Sequence, residues 1–149
     1  MNVFQLKSRL FLLTALGLVG CGQVGPVADT FDTVSAAGTL TSGGKPLPFY
    51  QVTLVPDGKQ RPAVGTTDDK GHFVLGTDHP GDGAVVGKHR VVVGYVGPPS
   101  DITPDMDNYR PPKPPVKLHK KYGSETTTDL TVEVPDAGAE DLKIEVAGV

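Results

Sequence analysis

The chain has 149 residues, a formal net charge of -3 at neutral pH, 14 prolines, 19 glycines and a single cysteine. This length fits one domain of ordinary size and not two. No stretch interleaves clustered Lys/Arg with aromatics, which excludes nucleic acid as a partner, and one cysteine excludes an internal disulfide, so the fold must rest on its apolar core.

The first elements are processing signals rather than structure. Lys7 and Arg9 precede an apolar run from Leu10 to Val19, and a small residue, Gly20, stands before Cys21. This is the organisation of a secretory signal, and the run is too short to span a bilayer. Leu18-Val19-Gly20-Cys21 also resembles the lipobox of bacterial lipoproteins. The resemblance implies that the Cys21 thiol receives a diacylglycerol, that the chain is cut before it, and that the new amine is acylated, for instance with palmitate. An ordinary cleaved signal or an uncleaved anchor is the plainer alternative. Loss of residues 1–20 takes Lys7 and Arg9 away, leaving a formal charge of -5. Two or three acyl chains hold a small domain on a membrane where one would not. The expected organisation is a signal peptide over 1–20, a lipidated tether over 21–33, and a β-sandwich domain over 34–149. Extended, residues 22–33 reach about 40 Å at roughly 3.3–3.6 Å each. Gly22 stands where some inner-membrane lipoproteins carry Asp, so the outer membrane is the expected address.

From Val34 the apolar pattern has period two. Val34, Ala36, Gly38 and Leu40 share a face of a first strand, and Tyr50, Val52 and Leu54 of a second, with Ser42-Gly43-Gly44-Lys45-Pro46 turning between them. Val64 and Thr66 mark a third strand, Phe73 and Leu75 a fourth. Asp68-Asp69-Lys70-Gly71 is expected to join these two as a hairpin. His89, Val91, Val93 and Tyr95 line a fifth strand, although the run Val91-Val92-Val93 leaves burial on both faces open. Leu130, Val132 and Val134 make a sixth; Leu142, Ile144 and Val146 make a seventh, with Lys143 and Glu145 facing water. Seven short strands and no helix predict an all-β, two-sheet sandwich, since a single open sheet would leave one apolar face wet.

One segment breaks the rhythm. Residues 98–115 carry Pro98, Pro99, Pro104, Pro111, Pro112, Pro114 and Pro115. Proline lacks the donor a ladder needs, so a long surface loop with polyproline-II stretches is expected. Its structural reading is a stiff crossover from one sheet to the other. Its functional reading is a partner-binding loop in which Tyr109 and Arg110 make contact.

The chemistry-bearing residues form no catalytic or metal pattern. His72, His79, His89 and His119 lack the spacing of a zinc site, and are expected as solvated or hydrogen-bonded surface residues. The 68–71 turn, even with Asp78 and Asp82, has Lys70 where a calcium loop would place its next oxygen. Ser35, Ser42, Ser100 and Ser124 lie in no nucleophile motif. No metal or cofactor is implied.

Certain motifs do carry a likeness. Gly38-Thr39-Leu40-Thr41 with Gly44-Lys45-Pro46-Leu47, Val52-Thr53-Leu54-Val55-Pro56, and Thr66 to Phe73 resemble the carboxypeptidase regulatory-like domain of the transthyretin-like sandwiches. Pro80 to Val93, Lys121-Tyr122 and Thr126 to Val132 narrow the likeness to the small lipoproteins of that type abundant in planctomycete bacteria. The resemblance implies a seven-stranded Greek-key, prealbumin-like sandwich in the cell envelope, without an assigned reaction.

Transthyretin-like proteins also include hydroxyisourate hydrolases, which end in Tyr-Arg-Gly-Ser. Lys120-Lys121-Tyr122-Gly123-Ser124 only echoes that tail, and two more strands follow it. The isopeptide chemistry of adhesin relatives needs a lysine buried beside its partner and an acid, whereas Lys45, Lys88 and Lys143 fall at edges or outward positions. The expected function is therefore a non-catalytic, membrane-anchored module that engages an envelope protein or glycan. The alternative is a small-molecule-binding or hydrolytic site in the sandwich groove, betrayed by His, Arg and Ser converging in one apolar pocket.

Overall fold

A computed structural model describes residues 32–99 and 112–149. The signal, Cys21, nearly all of the tether, and the Tyr109–Arg110 pair lie outside these residues. The described chain is all-β, with ten strands: β1 (Thr33–Val34), β2 (Ala36–Ser42), β3 (Lys45–Pro46), β4 (Tyr50–Pro56), β5 (Ala63–Thr66), β6 (His72–Val74), β7 (Ala84–Val85), β8 (Gly87–Tyr95), β9 (Thr131–Val134) and β10 (Ala139–Glu145). One 3-10 turn, Lys120–Gly123, is the only helical element among the described residues. Each of the seven strands expected from alternation coincides with one of the longer strands; β1, β3 and β7 are two-residue additions.

Two four-stranded sheets share one core. In the first, β2 has β10 on one side and both β3 and β6 on the other; in the second the order is β5-β4-β8-β9. Ala36, Leu40, Phe73 and Ile144 face Val52, Leu54, Val91, Val93 and Val134 across a single buried cluster, so the alternation read from the sequence is the inward face of a sandwich-like pair. Val92 is half-buried while Val91 and Val93 are buried, so β8 has one core face. β10 runs parallel to β2, and Gly38 makes that approach possible: a Cβ there would lie 2.2 Å from the Leu142 carbonyl oxygen.

Two expectations are corrected. The third and fourth strands do not form a hairpin ladder, because β5 pairs with β4 and β6 with β2. Gly71 does take the positive φ of a tight reversal, but that reversal carries the chain from one sheet to the other. The two strands are linked by a bridge from Val64 to Gly76, just beyond β6, and by the Asp68 N–H donating to the His72 carbonyl across the turn. In β5 the inward residues are Ala63 and Gly65, while Val64 and Thr66 face out. Gly65 lies so close to β6 that a Cβ would meet the Val74 carbonyl oxygen at 2.4 Å, so this crowded position excludes a larger residue. Finally, the segment after β8 is not a crossover between sheets: β9 returns to pair antiparallel with β8 itself.

The turn after β2 behaves as expected. Gly43 and Gly44 both have positive φ, the requirement of a two-residue hairpin turn, and Lys45–Pro46 folds back onto Thr41 and Ser42.

The strand directions define two ends. The chain enters at β1, which pairs with β7, and β7 leads into the start of β8. Both β2 and β8 run away from that entry. At the far end lie the Gly43–Gly44 turn, the Tyr50–Tyr95 pair and the described part of the excursion between β8 and β9. Seven residues of β2 at about 3.3 Å each separate the ends by roughly 20 Å.

Candidate functional site

The far end carries a cleft of about 240 Å³, lined by Tyr95, Val116, Lys117, His119 and Lys120 among others. Its floor is built by β4 and β8. Tyr50 and Tyr95 are cross-strand partners, and their rings meet edge to face with centroids 5.0 Å apart. Its wall is the returning excursion, which two tyrosines hold. The buried Tyr50 hydroxyl donates to the Val116 carbonyl and accepts the Val116 N–H at 3.3 Å. Desolvation raises the Tyr50 phenol above its ordinary value, opposed by the bond to Val116, so it stays a neutral donor. Tyr122, also buried, accepts the Ala147 N–H at 3.3 Å. Further along, Leu118 bridges to Gly148, and Val149 N–H donates to the Lys117 carbonyl at 2.7 Å. The wall thus spans both sheets.

The cleft is cationic. Residues 112–123 hold Lys113, Lys117, Lys120, Lys121 and His119 and no carboxylate, in a chain of negative net charge. Lys121 is committed to Asp129 at 2.7 Å and lies over the Tyr122 ring. Among the described residues Lys117 and Lys120 form no ion pair, and both are exposed at the rim. Sequence reasoning gave Lys117 and Lys120 no binding role because it sought basic residues interleaved with aromatics along the chain. The aromatics here come from β4 and β8, distant in sequence. The signal that was present is the acid-free lysine run itself.

The histidines scatter. His72 and His79 are exposed, and His119 lies at the cleft. His89 corrects the surface expectation: it is 1% exposed, its Nε2 lies 2.7 Å from the Val85 carbonyl, and its Nδ1 is buried without a partner. The even spacing from Val91 puts it on the core face, and parity wins over polarity there. Among the described residues no three His, Cys, Asp or Glu side chains gather as a metal site would require.

The two acidic turns spend their carboxylates on their own backbone. Asp82 accepts the N–H groups of Thr77, Asp78 and His79 at 2.6–3.0 Å, while Asp78 pairs with Arg61 at 2.7 Å. Asp68 accepts from Lys70 and His72. The Thr77 amide, followed by those of His79 and Asp78, holds the Asp82 carboxyl below its ordinary value; the His72 amide does the same for Asp68. A depressed folded-state value means stability that is fully present above the ordinary carboxylate range and is lost as pH falls through it towards the folded value. Asp82→Asn should therefore lose roughly 1 kcal/mol near neutral pH and show a shallower decline between about pH 6 and about pH 3 than the parent chain. Urea titrations across that range check this; parallel curves for the two proteins would contradict it.

The segment that echoes the hydrolase tail is engaged in local packing and hydrogen bonding. Tyr122 is a core residue, Ser124 bonds locally to Thr126, and Ser35 bonds to Glu140. No arginine or serine is among the described residues lining the cleft. Lys45, Lys88 and Lys143 are all exposed.

No protein family, curated protein or solved structure matches this chain. The cleft is therefore read from its own chemistry: a ring-sized recess with a tyrosine flank, an aliphatic side from Val116 and Leu118, and a cationic rim.

Proposed function

We propose that the chain is a lipid-anchored lipoprotein of the outer membrane, acylated at Cys21. Its transthyretin-like, carboxypeptidase regulatory-like sandwich is a non-catalytic module that holds a recognition face towards an envelope protein or glycan. The observation that carries this reading is the opposition of the two ends. The chain leads in from the tether at β1, and the cleft and excursion lie at the other end of β2 and β8. A tether of residues 21–33 then puts the membrane behind the domain and the cleft in front.

The excursion supports the same reading. β8 and β9 are antiparallel neighbours, a pairing that a two-residue turn can close. Residues 96–130 are thus more chain than the topology needs, and long loops on a rigid scaffold are where recognition concentrates. The interleaving of the sheets, with β6 leaving for the first sheet between β5 and β8 of the second, supports a Greek-key path. A cleft rimmed by Lys117, Lys120 and the imidazole of His119, with no serine or arginine among its described residues, favours binding over hydrolysis. Tyr109 and Arg110 belong to the same excursion and would extend the recognition face.

Cys21→Ala tests the anchor. The parent protein extracted from membranes should have the mass of residues 21–149 plus acyl groups, and the variant should accumulate as an unprocessed, unacylated precursor. A variant still cut before residue 21, or a parent of unlipidated mass, would overturn the anchor.

A further inference from the structure

We infer that the far-end cleft is a binding site for an acidic sugar, with Lys117, His119 and Lys120 receiving its carboxylate and Tyr95 supporting its ring. This rests on the reading of the chain as a glycan- or partner-binding module and names the ligand chemistry of that site. Three observations converge. The recess of about 240 Å³ is smaller than the pockets that take drug-sized molecules, and suits one ring of an oligomer rather than a whole ligand. Its flank is aromatic. The C–H edges of a sugar ring, slightly positive, rest well on the negative face of a tyrosine, and Tyr95 is fixed in place by its edge contact with the buried Tyr50.

Its rim is the third. Lys117 and Lys120 lie within the acid-free run 112–123 and pair with no carboxylate among the described residues, whereas neighbouring Lys121 is neutralised by Asp129. A protein of net negative charge gains nothing from its overall field when it meets a polyanion, so the local cations must supply the attraction. Their placement is stable because the wall that carries them is tied to Tyr50 and to the chain end at Gly148 and Val149. An acidic peptide would satisfy the cations equally well but makes no use of a ring-sized recess beside an aromatic face.

The test uses the full chain extracted in detergent, titrated calorimetrically with a uronate oligosaccharide, with a neutral oligosaccharide of the same ring and linkage, and with polyglutamate. The uronate oligomer should bind saturably and the other two should not. Lys117→Gln combined with Lys120→Gln should weaken uronate binding about tenfold or more, since each removes a charge-assisted hydrogen bond. Lys143→Gln, exposed in β10 away from the cleft, makes a charge change without touching the site and should leave binding unchanged. Equal binding of the neutral oligomer, equal binding of polyglutamate, an unmoved double variant, or an equal loss in Lys143→Gln would each overturn the inference. The mass of the same preparation reports the Cys21 anchor separately, so failure of the sugar site and failure of the anchored-module reading are distinct results.

Discussion

Gly38→Val is expected to abolish the folded state, with no cooperative unfolding transition by circular dichroism or calorimetry. Gly38 lies in β2 opposite Leu142 of β10, and a Cβ there would meet the Leu142 carbonyl oxygen at 2.2 Å and the Leu142 Cβ at 2.7 Å. Both obstacles are parts of a paired strand, so neither can swing aside. Relief requires β10 to separate from β2, which withdraws Ile144 and Val146 from the core. Full burial of two such side chains contributes about 3–6 kcal/mol, comparable to the whole stability of an ordinary small domain. Gly94→Ala is the matched control. It lies in the exposed position of β8 with nothing within 4 Å of a built Cβ, and should be neutral or slightly stabilising because alanine restricts the unfolded chain. A Gly38→Val protein with the parent's melting curve would show that the parallel pairing is not a requirement of the fold.

Thr67→Val is expected to cost about 2–4 kcal/mol and to open the cleft. The Thr67 hydroxyl is buried, accepts the Tyr50 N–H at 2.8 Å and donates to the Leu47 carbonyl at 2.7 Å. Valine keeps the shape and strands both backbone groups away from water, each at roughly 1–3 kcal/mol. The hydroxyl also fixes a strained corner: Phe49 has a φ of 64°, and its carbonyl receives the N–H groups of Val96 and Gly97 where the excursion begins. Tyr50 follows directly and carries the cleft floor. Thr67→Val should therefore weaken any ligand of the cleft along with stability, whereas Thr67→Ser, which keeps the hydroxyl, should retain most of both. Equal melting of the Val and Ser variants would remove the hydroxyl from this account.

Alternation exposed the strands because buried faces alternate in a half-buried sheet, and it named Leu40, Val52, Leu54, Phe73, Val91, Val134 and Ile144 as core without error. What it could not carry was partnership. The glycine in Asp68-Asp69-Lys70-Gly71 announces a reversal, but nothing local says whether the next strand rejoins its predecessor or crosses to another sheet. Residue type alone misleads at Val64, an apolar side chain that faces out because beside Val74 only Gly65 fits on the inward face. His89 shows the opposite error, a polar residue placed at the surface by type although its parity placed it inside. The cleft was illegible for a geometric reason: its tyrosines and its lysines are brought together by the β8 excursion. The length and prolines of that excursion were visible, while its return to the same sheet was not.

The parallel seating of β10 against β2 has a kinetic meaning. The first long strand to emerge during synthesis waits for the last one, and until Ile144 and Val146 arrive one side of the core has no cover. Contacts closing nearly the whole length of a chain make folding slow and late, because the loop must be paid for before the pairing rewards it. A partly made chain therefore has little reason to collapse into a finished domain. On the proposed reading of the chain as an exported lipoprotein, delay of this kind would keep it threadable until β10 is through.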